Sequence, residues 1–447
     1  MQERLQKFST MKVILTGYCL IVLIGTLLLM LPAASNQAQG TPLIDAFFTA
    51  TSAACVTGLV PYDTFTHWSL FGQLTILILI QIGGIGFMTI AISIIALTKH
   101  KIGLSSRVLM QESVAAPQVG GIVRMTKMIL TGTVICEGIG AFLLSFFFCP
   151  KLGFWKGIYF SVFHAVSAFC NAGFDLMGIV EPASSLTSLG ANWYVDSIIM
   201  ALIFVGGIGF FVWSDLVNHR FHFSKLRLHT KLVLTVSPLL IVLGAAGIFI
   251  LEQGGDLYPG MPVHEQILAS LFQSVSSRTA GFNSVDLARL SESSQFLIMC
   301  LMMIGGSTGS TAGGIKTTTF AILIMSIFAT FRRKKSIECF GRRLEDEALR
   351  RASCVFMIYL LLSMFAGMII SEVEGISLLA ALFESISAIG TVGLSLGITP
   401  GLEIISKILL AMLMLLGRVG SITILLAFSS DRNIAASKLP HEKIQVG

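Results

Sequence analysis

The chain has 447 residues, of which 54% are hydrophobic and only 12% are charged, and its formal net charge is +6. A soluble domain carries about 25% charged residues. A soluble fold of this length would therefore lack the polar surface needed to cover itself, and the mean hydropathy of +0.84 agrees with that conclusion. Composition thus excludes a soluble globular protein and indicates an integral membrane protein.

Eight apolar runs predict eight transmembrane helices, because each has close to the roughly 20 residues that cross a bilayer core. They lie at 13–31, 70–97, 129–148, 197–217, 232–251, 296–331, 352–370 and 404–428. Lys and Arg cluster at the termini and in alternate loops, whereas the opposite loops contain only Lys151, Lys156, Arg278 and Arg289. The positive-inside rule therefore places both termini in the cytoplasm. This topology and contact with the lipid bilayer account for the positive charge, so nucleic-acid binding is not expected.

A fourfold repeat links the predicted spans. Within each pair of spans lies a shorter segment that ends at a glycine turn: "FFTATSAACVTGL" (47–59), "FHAVSAFCNAGF" (163–174), "FQSVSSRTAGF" (272–282) and "FESISAIGTVGL" (383–394). Each is too short to cross the membrane, which predicts a half-helix that enters and turns back. Non-helical backbone survives at membrane depth only where it is buried in protein or lines a wet cavity.

The expected fold is an all-α membrane protein with eight transmembrane helices and four re-entrant pore half-helices. They form four parallel span–pore loop–span repeats around one pore, because two crossings per repeat give all four the same orientation. The repeats are assigned to residues 1–98, 99–218, 219–335 and 336–447. The third contains a broken inner helix, and the fourth ends in a C-terminal tail.

The glycine turns have the chemistry of an ion selectivity filter. Backbone carbonyls can replace the hydration shell of a cation, and glycine adopts the positive φ that turns successive carbonyls toward an axis. The half-helices would also direct their partially negative C-terminal ends there. The predicted filter residues are Val56, Thr57, Gly58, Asn171, Ala172, Gly173, Thr279, Ala280, Gly281, Thr391, Val392 and Gly393. The alternative is that these glycines only permit close helix packing, which is the preferred interpretation for a second repeated cluster that includes "QIGGIGF" (81–87).

Four span–half-helix–span units with one filter glycine each resemble the Trk/Ktr/HKT superfamily of potassium transporters over nearly the whole chain. The first unit begins at residue 13 without a leading pair of spans, which is more similar to the Ktr membrane subunit KtrB than to TrkH. The resemblance implies potassium (K⁺) uptake across the plasma (inner) membrane by a homodimer, with Na⁺ as an activator. In plant relatives a serine at the first filter glycine goes with sodium transport, so Gly58 implies potassium selectivity.

The resemblance also implies control by a cytosolic partner, a KtrA-like ring of the RCK type that binds a nucleotide (ATP or ADP). No cytosolic segment here is long enough for a nucleotide-binding domain, so the nucleotide would bind the separate subunit. No cofactor is expected in this chain, and no enzymatic activity.

The stretch "IGGSTGSTAGGIKTTTF" (304–320) interrupts the sixth predicted span. It is not a phosphate-binding loop, because Lys316 stands one residue too far from the glycines and a membrane span precedes the stretch. Gly, Ser and Thr weaken a helix, so we expect helices at 296–304 and 316–331 joined by an intramembrane loop (304–317). Members of the superfamily carry a gate here. The predicted gate residues are Gly305, Gly306, Ser307, Thr308, Gly309, Ser310, Thr311, Ala312, Gly313, Gly314, Lys316 and Arg418. The alternative is a glycine-rich kink without a gating role.

Two cations of the predicted gate lie within spans. An unpaired arginine at membrane depth is costly, so Arg418 is expected to donate to loop carbonyls and hold the gate closed. Lys316 either does the same or extends its ammonium group to the cytoplasmic face.

Four other charged residues have expected roles. Arg278 is expected to brace the filter through a carboxylate, and Glu137 either pairs with a cation or carries protons. Asp63 and Asp286, each five residues after a filter glycine, are expected to concentrate cations at the mouth.

The main alternative function is a coupled secondary transporter that moves a small solute by alternating access. That class typically has discontinuous helices in inverted halves, whereas the units here are four and parallel. A membrane enzyme is disfavoured because the sequence contains no Ser/His/Asp or HExxH constellation.

Overall fold

The computed structural model describes residues 10–86, 111, 122–334 and 336–420. Both chain termini and the ends of two predicted spans (87–97 and 421–428) lie outside this part of the chain. The described residues form helices, several short 3₁₀ turns and one small antiparallel hairpin. The hairpin pairs β1 (Glu338–Cys339) with β2 (Arg342–Arg343).

The helices follow one another in four similar groups, which we call units 1 to 4. Unit 1 contains α1 (Thr10–Leu29), α2 (Leu43–Cys55), the short α3 (Thr64–His67) and α4 (Leu70–Ile85). Unit 2 contains α5 (Ile122–Leu152), α6 (Phe154–Phe169), α7 (Trp193–Gly207) and α8 (Phe210–Asn218). Unit 3 contains α9 (Leu228–Leu251), α10 (Val263–Ser276), α11 (Glu292–Met303) and α12 (Thr317–Phe331). Unit 4 contains α13 (Asp346–Glu374), α14 (Leu378–Gly390) and α15 (Ile404–Val419).

The first helix of every unit is long enough to cross a membrane. In the described part of the chain, four continuous helices meet this criterion by length and apolar composition, and they correspond to α1, α5, α9 and α13. The second predicted span of each unit is shorter or interrupted in this part of the chain. The chain is therefore a multi-pass membrane protein, and the full set of eight spans stays a prediction.

The predicted half-helices are present in all four units as α2, α6, α10 and α14, which have 13, 16, 14 and 13 residues. Each carries the repeated aromatic residue of the sequence pattern, and all four of these rings are completely buried: Phe48, Phe163, Phe272 and Phe383. A fully buried aromatic side chain contributes strongly to packing. The repeat therefore places one buried aromatic ring of each half-helix in the protein interior.

In units 2 and 3 the inner helix is interrupted at the second glycine cluster, and in units 1 and 4 its described part ends there. In unit 3 the predicted break is confirmed, because α11 ends at Met303 and α12 begins at Thr317. The segment predicted as a span at 197–217 contains a bend that the sequence analysis did not predict, since α7 and α8 meet at an angle of 87°. The physical reason is Gly209, whose φ of +99° lies in a region that residues with a side chain rarely adopt.

A buried ion pair joins the first and last units, which are distant in sequence. The Lys407 ammonium on α15 lies 2.7 Å from Asp45 Oδ1 in the first turn of α2. Both side chains are about 10% exposed or less, and the Tyr62 hydroxyl donates to the other Asp45 oxygen at 2.9 Å. Sequence analysis located Lys407 only within a span, because nothing in the sequence identifies a partner 362 residues away.

Removing either partner of this pair is expected to destabilise the protein strongly. Asp45→Leu or Lys407→Met leaves one buried charge uncompensated, which costs about 3–5 kcal/mol. The double variant is expected to recover most of this loss, because apolar residues can replace a buried ion pair. Thermal and denaturant unfolding in detergent, followed by tryptophan fluorescence, measures the effect.

The exposed pair Lys334–Glu338, at 2.9 Å, supplies the control. Lys334→Met is expected to change the free energy of unfolding by less than about 1 kcal/mol. A single variant at Asp45 or Lys407 that behaves like this control would contradict the assigned role.

Candidate functional site

The four repeated glycines lie together in one closed ring, which we call the glycine ring: Gly58, Gly173, Gly281 and Gly393. All have positive φ, between +69° and +99°. A Cβ added to Gly58 would lie 2.5 Å from the carbonyl oxygen of Ala172, and one added to Gly173 would lie 2.8 Å from that of Ala280. Gly281 approaches the carbonyl of Val392 in the same way, and Gly393 approaches that of Thr57. Each unit thus presents a carbonyl to the glycine of a neighbouring unit.

The backbone just before each glycine is also left-handed. The residues two positions earlier, Val56, Asn171, Thr279 and Thr391, have φ between +51° and +75°. Such angles are outliers for β-branched side chains, and the surrounding structure has to maintain them. Part of that support is a repeated hydrogen bond from the next residue to a half-helix carbonyl. In units 1, 2 and 4 it joins Thr57 N–Ser52 O, Ala172 N–Ser167 O and Val392 N–Ser387 O, each at 2.8 Å.

Serine hydroxyls hold the turns to the half-helices, and sequence analysis missed them. Ser52 accepts from the Gly58 amide at 3.0 Å, and Ser387 accepts from the Gly393 amide at 3.1 Å. Ser167 and Ser276 instead donate to the carbonyls of Phe174 and Phe282, at 2.6 and 2.5 Å. The available signal was a serine six residues before the glycine in three of the four units.

A cavity of about 160 Å³, the mouth cavity, opens on one side of the glycine ring and is lined by all four glycines. Asp63 and Asp175 also line it, whereas Asp286 does not. The role expected for Asp286 stays a prediction: its side chain is exposed and caps a 3₁₀ turn by accepting from the Ala288 amide at 3.0 Å. Asp63 reaches the mouth cavity, but its oxygens also accept from backbone amides, among them that of Ala183 at 2.9 Å.

Two half-helix residues brace the chain where it leaves the glycine ring. His164 Nδ1 donates to the Phe160 carbonyl at 2.8 Å, so Nε2 is free to accept from the Leu176 amide at 3.4 Å. Glu384 accepts from the hydroxyls of Ser395 and Thr399. Both side chains are completely buried, and they stabilise the segments that follow the glycine turns of units 2 and 4.

The intramembrane loop lies against the glycine turns on the side of the inner helices. Its two ends meet, because Gly305 N donates to Ile315 O at 2.8 Å and Thr317 N donates to Gly306 O at 3.0 Å. A Cβ at Gly305 would contact the Thr279 methyl group at 3.1 Å, and one at Gly313 would overlap the Thr391 side chain. Residues of the predicted gate and the predicted filter are therefore direct neighbours.

Backbone groups of unit 2 hold the intramembrane loop in place. Ser307 N donates to Gly207 O at 2.9 Å, and the Thr311 hydroxyl donates to Phe169 O at 3.0 Å. In return, Phe210 N at the start of α8 donates to Gly309 O at 2.7 Å. The bend between α7 and α8 exposes two of these groups, Gly207 O and Phe210 N, whereas Phe169 O lies at the end of α6.

Three positively charged side chains, those of Arg418, Lys316 and Arg278, donate to backbone carbonyl oxygens near the glycine ring. Arg418 donates to Thr311 O in the loop and to the carbonyls of Gly83 and Gly84 at the end of α4, so the expected contact with loop carbonyls is present. Lys316 also binds loop carbonyls, with Nζ donating to Ala312 O at 2.8 Å and to Gly313 O at 3.2 Å, whereas its part in holding the gate closed stays a prediction.

Within the described residues Arg278 pairs with no carboxylate, so the expected kind of partner is not the one found. Its guanidinium donates to Ser237 O at 3.1 Å, to Gly305 O at 3.1 Å and to the Thr317 hydroxyl at 2.8 Å. Arg278 follows half-helix α10, whereas Gly305 and Thr317 mark the two ends of the intramembrane loop. A single side chain therefore links the glycine turn of unit 3 to both ends of the loop.

Glu137 also differs from expectation, since its carboxylate pairs with no cation in the described part of the chain. It accepts from the Gln81 amide at 3.1 Å and lies 3.8 Å from the Cys170 sulfur. Cys170 follows half-helix α6, so this cluster supports the turn of unit 2 from behind. The alternative role of carrying protons stays a prediction.

Close packing is confirmed for the second glycine cluster. A Cβ at Gly84 would lie 2.5 Å from the Cys170 sulfur, and one at Gly206 would overlap the Phe169 carbonyl. Gly83 and Gly417 face the carbonyls of Ala54 and Ile389 in the same manner. The inner helices therefore pack directly on the half-helix ends.

The glycine ring, the mouth cavity and the intramembrane loop are built mainly from backbone groups and small side chains. Such a site is typical of a membrane transport protein. The family profile of TrkH, described as a cation transport protein, matches residues 7–436. The chain therefore belongs to the TrkH family of cation transport proteins, and it is a transporter rather than an enzyme.

Two relatives and one solved structure show the extent of the similarity. The whole chain is 41% identical to the potassium/sodium uptake protein NtpJ of Enterococcus hirae, of which it covers 99%. It is 38% identical to the Ktr system potassium uptake protein B of Bacillus subtilis, with 95% of this chain and 94% of that protein aligned. The crystal structure of the potassium transporter TrkH from Vibrio parahaemolyticus has the same fold, with a TM-score of 0.69 at 19% identity over 92% of this chain and 84% of that one.

Gly281→Ala is expected to disrupt the glycine ring. The new Cβ would lie 2.6 Å from Val392 O and 3.1 Å from the Gly173 Cα, at a φ of +78°. Strained positions cost about 1–3 kcal/mol, so monovalent-cation flux in proteoliposomes is expected to fall at least about tenfold.

Gly153→Ala is the matched control, because this glycine has a φ of +82° and its Cβ would meet no described atom within 4 Å. It carries the same backbone strain without the clash. Equal loss of flux in both variants would show that strain, and not the ring, is responsible.

Proposed function

We propose that this protein takes up potassium across the plasma membrane through the glycine ring. The observation that carries the proposal is the reciprocal approach of four carbonyls and four glycines around one closed ring that faces a cavity. Carbonyl oxygens at such a constriction suit a cation that sheds its water. The relatives named as potassium uptake proteins support K⁺ as the transported ion. In this proposal the filter comprises the three residues that end each turn, from Val56–Gly58 to Thr391–Gly393.

The electrostatics of the half-helices favour a cation. All four half-helices end immediately before the glycine turns, so their carbonyl ends face the ring. A helix C-terminus carries a partial negative charge. This arrangement attracts a cation without fixing a carboxylate beside it, which lets the ion leave as well as enter.

The intramembrane loop (304–317) is proposed to be the gate. It lies directly against the filter residues Thr279 and Thr391, and Arg418 ties it to the end of α4. Small polar residues dominate the loop, so few side chains have to repack when it moves. Lys316 adds a positive charge that opposes cations while the loop is in place.

Control from the cytoplasm is the remaining part of the proposal. We infer that both termini are cytoplasmic, that the protein forms a homodimer, and that an RCK-type nucleotide-binding ring regulates the gate. The match to a protein of a Ktr system supports a separate regulatory subunit. The name of the potassium/sodium uptake relative supports a role for Na⁺.

The proposal predicts that Gly58→Ser changes ion selectivity. The side chain would lie 2.5 Å from the carbonyl oxygen of Ala172, so one of four carbonyls at the ring has to move. Potassium selectivity is expected to fall by about tenfold, measured as the ratio of K⁺ to Na⁺ flux in proteoliposomes.

Gly260→Ser is the control, with a φ of +85° and no described atom within 4 Å of the added Cβ. Wild-type selectivity in both variants would remove the glycine ring from the ion path. Flux of an organic solute coupled to an ion gradient would instead favour alternating access.

Arg418→Gln is expected to raise basal flux and leave selectivity intact. The variant loses charged hydrogen bonds to the loop, worth about 1.5–3 kcal/mol each, so the closed state becomes less populated. Flux without the regulatory subunit is expected to increase by about tenfold.

Arg289→Gln controls for loss of an arginine, because Arg289 donates to the carbonyl of Asp256, away from the loop. Unchanged basal flux in a folded Arg418→Gln variant would refute the gating role.

A further inference from the structure

A groove lies between units 1 and 2, outside the ion path described above. Its volume is about 550 Å³, and it is lined by Asn36, Phe65, Thr66, Leu70, Gln73, Lys156, Tyr159 and Phe160. The first five come from unit 1, whereas the last three come from α6 in unit 2. The groove therefore follows the seam between the two units, on the side of the protein where α3 borders the mouth cavity.

The positively charged side chain that lines this groove is Lys156. Its ammonium lies 5.2 Å from the Phe65 ring centre and 6.0 Å from that of Phe160. Within the described residues it makes no ion pair with a carboxylate. Contacts with ring faces leave the three N–H groups of the ammonium available as donors. The groove thus presents a positive charge with unused hydrogen-bond donors.

Neighbouring polar side chains are engaged elsewhere. Asp63, two residues before the groove residue Phe65, forms no ion pair with Lys156 within the described residues, and its oxygens accept from the amides of Phe65, Thr66 and Ala183. The Gln73 side chain is also engaged, because it donates to Trp68 O at 2.7 Å and accepts from the Tyr159 hydroxyl at 2.9 Å. An anionic ligand is the chemical complement of this site.

The surroundings place the groove at the boundary between lipid headgroups and acyl chains. Trp155, next to Lys156, is 81% exposed, and exposed tryptophans concentrate at membrane interfaces. Below the groove, α4 exposes Leu70, Leu74 and Ile78, one residue per helical turn over about 12 Å. This continuous apolar stripe begins at a residue that lines the groove.

We propose that this groove binds an anionic phospholipid, with the phosphate on Lys156 and one acyl chain along the Leu70–Leu74–Ile78 stripe. A basic residue near the membrane surface contributes about 1 kcal/mol to the attraction of anionic lipid, and here the stripe selects a lipid over a free phosphate. The bound lipid would contact Phe65 and Thr66 of α3, whose N-cap Asp63 lines the mouth cavity. Lipid composition could thereby act on the entrance to the glycine ring.

Native mass spectrometry of the purified full-length protein tests this proposal, with phosphatidylglycerol or phosphatidylcholine added to the detergent. Phosphatidylglycerol adducts are expected to exceed phosphatidylcholine adducts in the wild type. Lys156→Gln is expected to lower the phosphatidylglycerol adducts about fivefold, and Lys156→Arg to retain them.

Lys151→Gln is the matched control, because Lys151 is an exposed lysine nearby in sequence whose ammonium lies over the Phe147 ring at 3.9 Å and does not line the groove. Equal adduct loss in Lys151→Gln and Lys156→Gln would overturn the proposal. Displacement of the lipid by inorganic phosphate alone would assign the site to free anions. A change of oligomeric state in Lys156→Gln without loss of lipid would assign the groove to a second copy of the chain.

Discussion

The constraint on which the rest of this structure depends is the direct contact of four backbone turns in the protein interior. Every polar backbone group buried there must find a partner or line a cavity, because an unpaired buried group costs free energy. The glycine ring meets this condition with no side chains between the units. The buried half-helices, the serine hydroxyls and the braces from His164 and Glu384 all serve to hold these turns in unfavourable φ angles.

The same constraint explains why the cations near the ring bind carbonyls. Interrupting the inner helices frees carbonyl groups that no longer have an amide partner within the helix. Arg418, Lys316 and Arg278 supply the missing donors at Gly83, Ala312 and Gly305, among other acceptors. Their contacts with the intramembrane loop connect loop geometry directly to glycine-turn geometry, especially through Arg278. A guanidinium suits this task because its five donors are held in a fixed fork.

The four units share one plan but differ where function requires it. Among the inner helices that the structure describes on both sides of the break, that of unit 3 contains a long loop, and that of unit 2 bends so that its backbone can hold this loop. Units 1 and 4 close the ring across the greatest separation in sequence, through Lys407 and Asp45. The units thus differ from one another mainly at the intramembrane loop and at the contact between units 1 and 4.

Much of the local structure followed from the sequence alone, because it depends on nearby residues. Apolar length, the repeated aromatic, the glycine turns and the weak helix at 304–317 predicted the half-helices and the break between Met303 and Thr317. The bend at Gly209 was missed, since one glycine in an apolar run is compatible with a straight helix. The partners of Arg278, Glu137 and Lys407 were mistaken or unknown, because each is set by how distant helices pack. Helix and turn propensities depend on neighbouring residues, so the sequence alone determines them. Which donor pairs with which acceptor across the units depends on the packing of the four turns, so only the tertiary structure decides it.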